Sequence, residues 1–424
     1  MIRLSGTASP RWLAAVGAAA LVGVAVPAQS AHATVLTCGQ TVTTSVVLTA
    51  DLLNCPGDGI VVGAGAITID LNGRTVDGIG LGTGIRNNGF AGVTVTNGAA
   101  TAARVEQFDY GVRLNAGTSG NVVEKLTVHN NEFSGIELNS AHLNNTVRNN
   151  LVDRQSHSGI AITGGTGGNL IADNTLTNNQ GLGAVVRNSP DNRLERNRIT
   201  GSGGSALALE NADRGTLLAN TAGDSGDAAI TLRLGSDNNL LQGNSSVRSA
   251  DAGLVVADST GNRLLSNNLH NSGDSGIVLQ AAHGNTVTGN DVSRNTGGIE
   301  LSSANNNLIH TNIASDTTGD GISLGLSRNN DVRENQASRN GSKGIHAVGD
   351  APAGTGNQLI RNTTTANQGD GVYVSKSVHT LQGNIARDNK GWGVYAEPGN
   401  TDGGGNRASG NGQAAQCQGV VCIP

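Results

Sequence analysis

Apolar positions in this chain recur two apart, stop for a few polar residues, and start again. In Gly276-Ile277-Val278-Leu279-Gln280 the aliphatics Ile277 and Leu279 flank one residue, the spacing that puts both on one side of a strand and Val278 on the other. After a short polar link, Asn285-Thr286-Val287-Thr288-Gly289-Asn290 sets one aliphatic between two asparagines. The unit Gly-apolar-x-apolar, link, Asn-x-apolar-x-x-Asn returns with anchor glycines or alanines at 111, 135, 159, 183, 206, 229, 253, 276, 298, 321, 344, 371 and 393. The mean step is about 23.5 residues, a period that marks a solenoid. No repeat carries a ten-residue segment of helical spacing, so helical and leucine-rich solenoids are set aside. Strands this short can pair only with the turns above and below, about 4.8 Å away, which predicts an all-β parallel β-helix. About fourteen coils would make a rod roughly 65 Å long.

Asparagine marks the corners. One series holds a fixed repeat position from Asn150, Asn174 and Asn197 through Asn267, Asn290 and Asn312 to Asn384 and Asn411. A second precedes it by five residues, from Asn145 and Asn169 to Asn357 and Asn406. Asparagine tolerates left-handed backbone, and its amide can donate and accept along a stack of its own kind. Each corner asparagine is therefore expected to be a left-handed turn residue and a ladder rung at once.

Composition supports the same picture. Against 63 Gly and 49 Asn stand 3 Phe, 3 Tyr and 2 Trp in 424 residues, too few aromatics for a large globular core. Small aliphatics must fill the rod. The net charge is −5 and Lys and Arg are scattered singly, which argues against nucleic acid as a partner. Residues 1–33 read as an export signal, with Arg3 and Arg11, an apolar stretch from Trp12 to Val26, and Ala31-His32-Ala33 as a cleavage site. Beyond it no apolar run reaches the ~18 residues that span a bilayer, so a secreted, soluble monomer without a membrane partner is expected.

Four cysteines sit at the two ends. A rod holds its ends far beyond the Cα separation of a disulfide, under ~7 Å, so the expected pairs are Cys38–Cys55 and Cys417–Cys422. They would staple an N-terminal cap over residues 34–58 and a C-terminal cap over 412–424, with the repeats at 59–411.

The repeated Gly-Ile-x-Leu and Asn-x-Val-x-x-Asn units, together with Asp70-Leu71-Asn72-Gly73 and Val76-Asp77-Gly78, resemble the right-handed parallel β-helix repeat proteins. That group includes NosD-type copper-maturation proteins and enzymes that modify surface polysaccharides. The resemblance spans roughly residues 55 to 411 and implies a right-handed coil. It is specific for fold, because the matching positions are those that build coils. The copper function it implies meets a poor donor set: the only methionine is Met1, the histidines share no repeat position, and the cysteines are expected to be oxidised.

Outward positions of the first strand are where an extended ligand would lie. They read Arg113, Glu137, Ala161, Val185, Ala208, Thr231, Val255, Val278, Glu300, Ser323, His346, Tyr373 and Tyr395. Arg113 and Glu137 occupy successive rungs, and with Asp153 and His157 in the following turn they are the catalytic candidates for a polysaccharide lyase, epimerase or hydrolase. The alternative is a plain surface ion pair. His346, Tyr373 and Tyr395, with Trp392 close by, are the substrate-binding candidates, since aromatic faces suit stacking against a sugar; an aromatic brace for the last coils is the other reading. Asp227, Asp251 and Asp274 each precede an anchor by two and could line up a Ca2+ site, or each could cap its own turn as Asp58, Asp320 and Asp370 are expected to do. Three functions follow: a polysaccharide-binding and processing protein, an inert surface rod, or a metal-handling protein.

Overall fold

The computed structural model describes residues 32–141, 143–349, 356–375 and 377–424. The segment 1–33 expected to be an export signal lies outside them apart from His32 and Ala33, which pair in parallel with Val46 and Val47. Among the described residues every regular element is a short β-strand, and the strands pair in parallel with those of neighbouring coils, giving three stacked faces. On the first, Ile277–Gln280 lies between Leu254–Ala257 and Ile299–Ser302. On the second, Thr286–Thr288 lies between Arg263–Leu265 and Leu308–His310. On the third, Leu151–Asp153 lies between Leu126–His129 and Thr175–Thr177.

The first and second faces each carry 17 strands, whereas the third is divided into runs of 10 and 6. Asp291 bridges that break through single contacts to Asn268 and Ile313. The solenoid has about 16 turns, more than the fourteen expected, because both expected caps are themselves coiled. Gln40–Val42 pairs with Ile60–Val62 on the first face, and Cys417–Gln418 pairs with Val394–Ala396 there through Cys417 and Gln418. At 4.8 Å per turn the rod is roughly 75 Å long. The disulfides are Cys38–Cys55 and Cys417–Cys422, as expected, one at each end.

Like residues sit over like. Leu279, Leu301 and Leu324 are in register and essentially inaccessible, and the interior is an unbroken column of such aliphatics. The anchor glycines are explained by crowding. A Cβ on Gly276 would come within 2.6 Å of Val292 Cβ, and one on Gly321 within 2.7 Å of the Gly344 carbonyl oxygen. Alanine replaces glycine at 206 and 229, where the equivalent third-face positions of the next coil hold the small residues Ala222 and Ser246.

The asparagines form ladders in which one buried amide bonds the next. Asn267 Nδ2 donates to Asn290 Oδ1 at 2.9 Å and to the Leu241 carbonyl at 3.0 Å, while Asn290 Oδ1 also accepts the Asn267 backbone N–H at 2.9 Å. Two expectations are corrected. The left-handed residue is not the ladder asparagine but the one before it: Asp173, Arg196, Ser266, Thr311 and Glu334 have φ of 51 to 57°. Asn406 belongs to the first series, bonded to Asn384, and Asn411 to a third ladder, bonded to Asn389. That third ladder includes Asn131, Gln155, Asn179, Asn295, Asn340 and Asn367.

His379 takes an asparagine's place in the second ladder. Its Nδ1 accepts the Asn357 N–H at 3.0 Å, and its own N–H donates to Asn400 Oδ1 at 3.0 Å. Burial pushes its pKa down to about 4. The native state holds it neutral while the unfolded chain protonates it below about 6.5, so stability is full above that pH and falls as pH drops towards 4, by about 3 kcal/mol at most. Urea denaturation at pH 7.5 and 4.5 should show His379→Asn losing less stability on acidification than the natural chain; equal losses would contradict the assignment.

Candidate functional site

Register places every outward position of the first strand where the spacing predicted. Arg113 faces Glu137, Glu137 faces Ala161, and the column continues to His346, Tyr373 and Tyr395. The two groups of candidates lie on one face, towards opposite ends of the rod.

At the C-terminal end the rings form a platform. His346 meets Tyr373 edge-on with centroids 5.3 Å apart, Tyr373 stacks on Tyr395 at 5.3 Å with planes 2° apart, and Trp392 lies 5.9 Å from Tyr395. All four are partly exposed. Polar groups edge the platform. Tyr373 Oη donates to Glu397 at 2.8 Å, a bond that, with burial, raises the Tyr373 pKa. Lys343 Nζ lies 5.4 Å from the centre of the Tyr373 ring. Asp320 Oδ2 is 2.7 Å from His346 Nδ1. Burial works to raise the Asp320 pKa, but hydrogen bonds from His346, Ser342 and the Lys343 N–H outweigh it and hold it at about 2. Asp320, Asp370 and Asp58 do not cap their own turns as expected. Each accepts a backbone N–H from the following coil, from Lys343, Trp392 and Thr83 respectively.

At the N-terminal end Arg113 Nε lies 2.7 Å from Glu137 Oε2, and the Arg113 guanidinium sits 4.1 Å from the centre of the Tyr110 ring. A groove of about 310 Å3 opens beside this pair, lined by Tyr110, Phe133, Glu137, His157, Thr163 and Arg187 among others. Thr163 Oγ1 donates to Glu137 Oε1 at 3.3 Å. Burial, then the Glu137 charge, raises the Tyr110 pKa. His157 therefore joins Arg113 and Glu137, but Asp153 does not. It extends from the third face, where it meets His129 at 3.1 Å and accepts from Thr177 at 2.9 Å. Tyr110, Phe133 and Arg187 were missed because they come from the turn before the anchor or from the end of the strand, not from its central outward position.

Asp227, Asp251 and Asp274 do stand near one another: burial, then the charges of Asp274 and Asp227, raises the Asp251 pKa. Even so, among the described residues no group of three or more His, Cys, Asp or Glu could hold a metal ion. Both cysteine pairs are oxidised, and seven histidines are engaged singly, His129, His270, His310 and His346 with carboxylates, His157 with a carbonyl, and His283 and His379 with backbone N–H groups. Oxidised cysteines and separately engaged histidines do not make a copper donor set.

A family model described as the right handed beta helix region matches residues 40–185 and 165–281, more than half of the chain. The chain belongs to the right-handed β-helix family. A second model, described as periplasmic copper-binding protein (NosD), matches residues 228–353 and 297–414 of this β-helix, less than half of it. No curated protein matches the chain. Solved structures similar to this right-handed β-helix include the A-module of the Azotobacter vinelandii mannuronan C-5 epimerase AlgE4, at 12% identity over 85% of this chain and 88% of that one, with a TM-score of 0.46. The Dettilon tailspike protein is similar at 14% identity over 76% and 62%, TM-score 0.45. The DFA-IIIase from Arthrobacter chlorophenolicus A6 is similar at 14% identity over 63% and 70%, TM-score 0.42. Among the described residues no helix is long and apolar enough to cross a membrane.

Proposed function

We propose that this protein is an exported rod that binds polysaccharide along its first face, at the platform of His346, Tyr373, Trp392 and Tyr395. The observation that carries the reading is the ring stack: Tyr373 and Tyr395 lie parallel and partly exposed on consecutive coils. Tyrosine and tryptophan offer flat apolar faces with a polar edge, which suits the C–H face and hydroxyls of a sugar. Lys343, Asp320 and Glu397 border the rings and can hydrogen-bond hydroxyls that stacking brings alongside. The two terminal disulfides suit an oxidising compartment outside the cytosol.

The geometry favours binding over two-carboxylate hydrolysis. Such a mechanism needs paired carboxyl groups roughly 5 to 9.5 Å apart across one groove, whereas Asp153 extends from another face and Glu137 is already neutralised by Arg113. Any processing would run through the Arg113–Glu137 groove, whose lining includes the Glu137 carboxylate.

The test is binding of the full chain to immobilised alginate, pectate, xylan and peptidoglycan. Tyr373→Ala with Tyr395→Ala is expected to weaken retention on whichever polymer holds the natural chain by at least about fivefold, two stacking contacts of roughly 0.5–1.5 kcal/mol each, with circular dichroism unchanged. Retention that survives the double change, or no retention of the natural chain on any polymer, would leave the rings as a brace for the last coils.

A further inference from the structure

We infer that the first face carries a second sugar-binding station, at the groove of Tyr110, Phe133 and His157, and that it and the C-terminal platform together grip one extended carbohydrate chain. This rests on the reading that the platform binds sugar.

The groove repeats the platform's plan with different residues. Three rings from successive coils line up along it: Tyr110 to Phe133 and Phe133 to His157 are each 5.3 Å between centroids. Phe133 is 40% exposed, in a chain that has only eight aromatic residues in all. A phenyl ring left in water between two other rings offers a stacking face. The floor beside it is apolar: Ala161 and Val185 point outward from the rod yet are at most 3% exposed, because Leu182 packs over them. Ser134, Ser158, Thr163 and Arg187 supply polar walls. Glu137 gives the groove a charged edge: it is 8% exposed, its Oε2 is paired with Arg113 Nε at 2.7 Å and its Oε1 accepts from Thr163 Oγ1 at 3.3 Å. An apolar floor with a few convergent polar groups is the usual make-up of a small-ligand site.

Register joins the two stations. Counting along the column from Glu137 to His346 passes Ala161, Val185, Ala208, Thr231, Val255, Val278, Glu300 and Ser323, a separation of nine rungs, or about 43 Å at 4.8 Å per rung. No aromatic residue interrupts that run, so the middle of the face adds little grip. Two weak sites held at a fixed distance on a rigid rod convert the second contact into an intramolecular one, which multiplies affinity by about 10² to 10⁴, but only for a ligand that spans them.

The experiment is a titration of the full chain with size-fractionated mannuronan oligomers and, as a neutral counterpart, dextran oligomers. Affinity is expected to rise at least about a hundredfold once the oligomer exceeds the separation of the stations. Tyr110→Ala with Phe133→Ala should abolish that step while leaving the affinity of short oligomers for the platform unchanged. Tyr110→Leu with Phe133→Leu, which keeps the apolar volume, should do the same. A smooth dependence on length, or a step that both double variants retain, overturns the inference while the platform stands. If no oligomer of either series binds at any length, the platform reading falls and this inference with it.

Discussion

Replacing Gly298 with alanine should destabilise the protein by more than about 3 kcal/mol, the upper end of what overpacking costs, although it adds only one methyl group. The new Cβ would lie 2.0 Å from the Gly321 carbonyl oxygen and 2.7 Å from Ala314 Cβ. The first contact is with the backbone of the next coil, which is fixed by its own ladder: Ile299 N donates to Gly321 O at 3.0 Å and Gly298 N to Asp320 O at 3.1 Å. Moving that carbonyl away would break the coil-to-coil bond that defines the face. Gly57 is the control. A Cβ there meets nothing within 4 Å, and its backbone is not left-handed. Gly57→Ala should therefore be neutral or stabilise by up to about 1 kcal/mol through the lost freedom of the unfolded chain. Urea denaturation of both variants separates the two causes. Similar losses would mean that glycine serves these positions through conformational freedom, and near-neutrality at Gly298 would remove the crowding account of the anchors.

The contrast between those two glycines shows what in this fold was legible in advance. A parallel stack puts equal residues over one another, so any position whose chemistry is constant along the rod reveals itself as a period. The Ile/Leu column, the two asparagine ladders and the outward rungs from Arg113 to Tyr395 were all of that kind. The third ladder was not, because Asn131, Gln155, Asn179, Asn295 and Thr317 do one job with different side chains. Likewise the left-handed corner residue varies between Asp173, Arg196, Ser266 and Thr311, since the neighbouring ladder, not the residue's own preference, dictates its backbone. The candidate site divides in the same way. The platform's His346, Tyr373 and Tyr395 follow from one repeat position, whereas Trp392 and Tyr110 stand one residue before their anchors, Phe133 and His157 two before theirs, and Asp153 leaves for another face altogether. Turns change length from coil to coil, so residues drawn from them converge without sharing a register.

The ladder itself carries the other large expectation. Asn290→Ala should cost about 3 kcal/mol, because it removes four hydrogen bonds from the interior and strands a backbone N–H there. Asn290 Oδ1 is the acceptor for the Asn267 N–H at 2.9 Å, and Asn290 Nδ2 donates to the Leu264 carbonyl at 2.9 Å and to Asn312 Oδ1 at 3.0 Å. Asn312 Oδ1 keeps the Asn290 backbone N–H and Leu264 stays in the strand ladder with Val287, but the Asn267 N–H loses its acceptor. Each buried group left unpaired costs about 1–3 kcal/mol. Position decides the form of the loss as well as its size. A solenoid is held by contacts between neighbouring coils, so a defect at mid-rod uncouples the halves, and urea denaturation should change from one transition to two. Asn411→Ala, by contrast, lies in the last coil at 8% exposure, where solvent can take over its bonds, and should cost about 1 kcal/mol with a single transition. A cost at Asn290 no larger than that at Asn411 would mean that the amide columns merely accompany the stack, and that aliphatic packing alone sets its register.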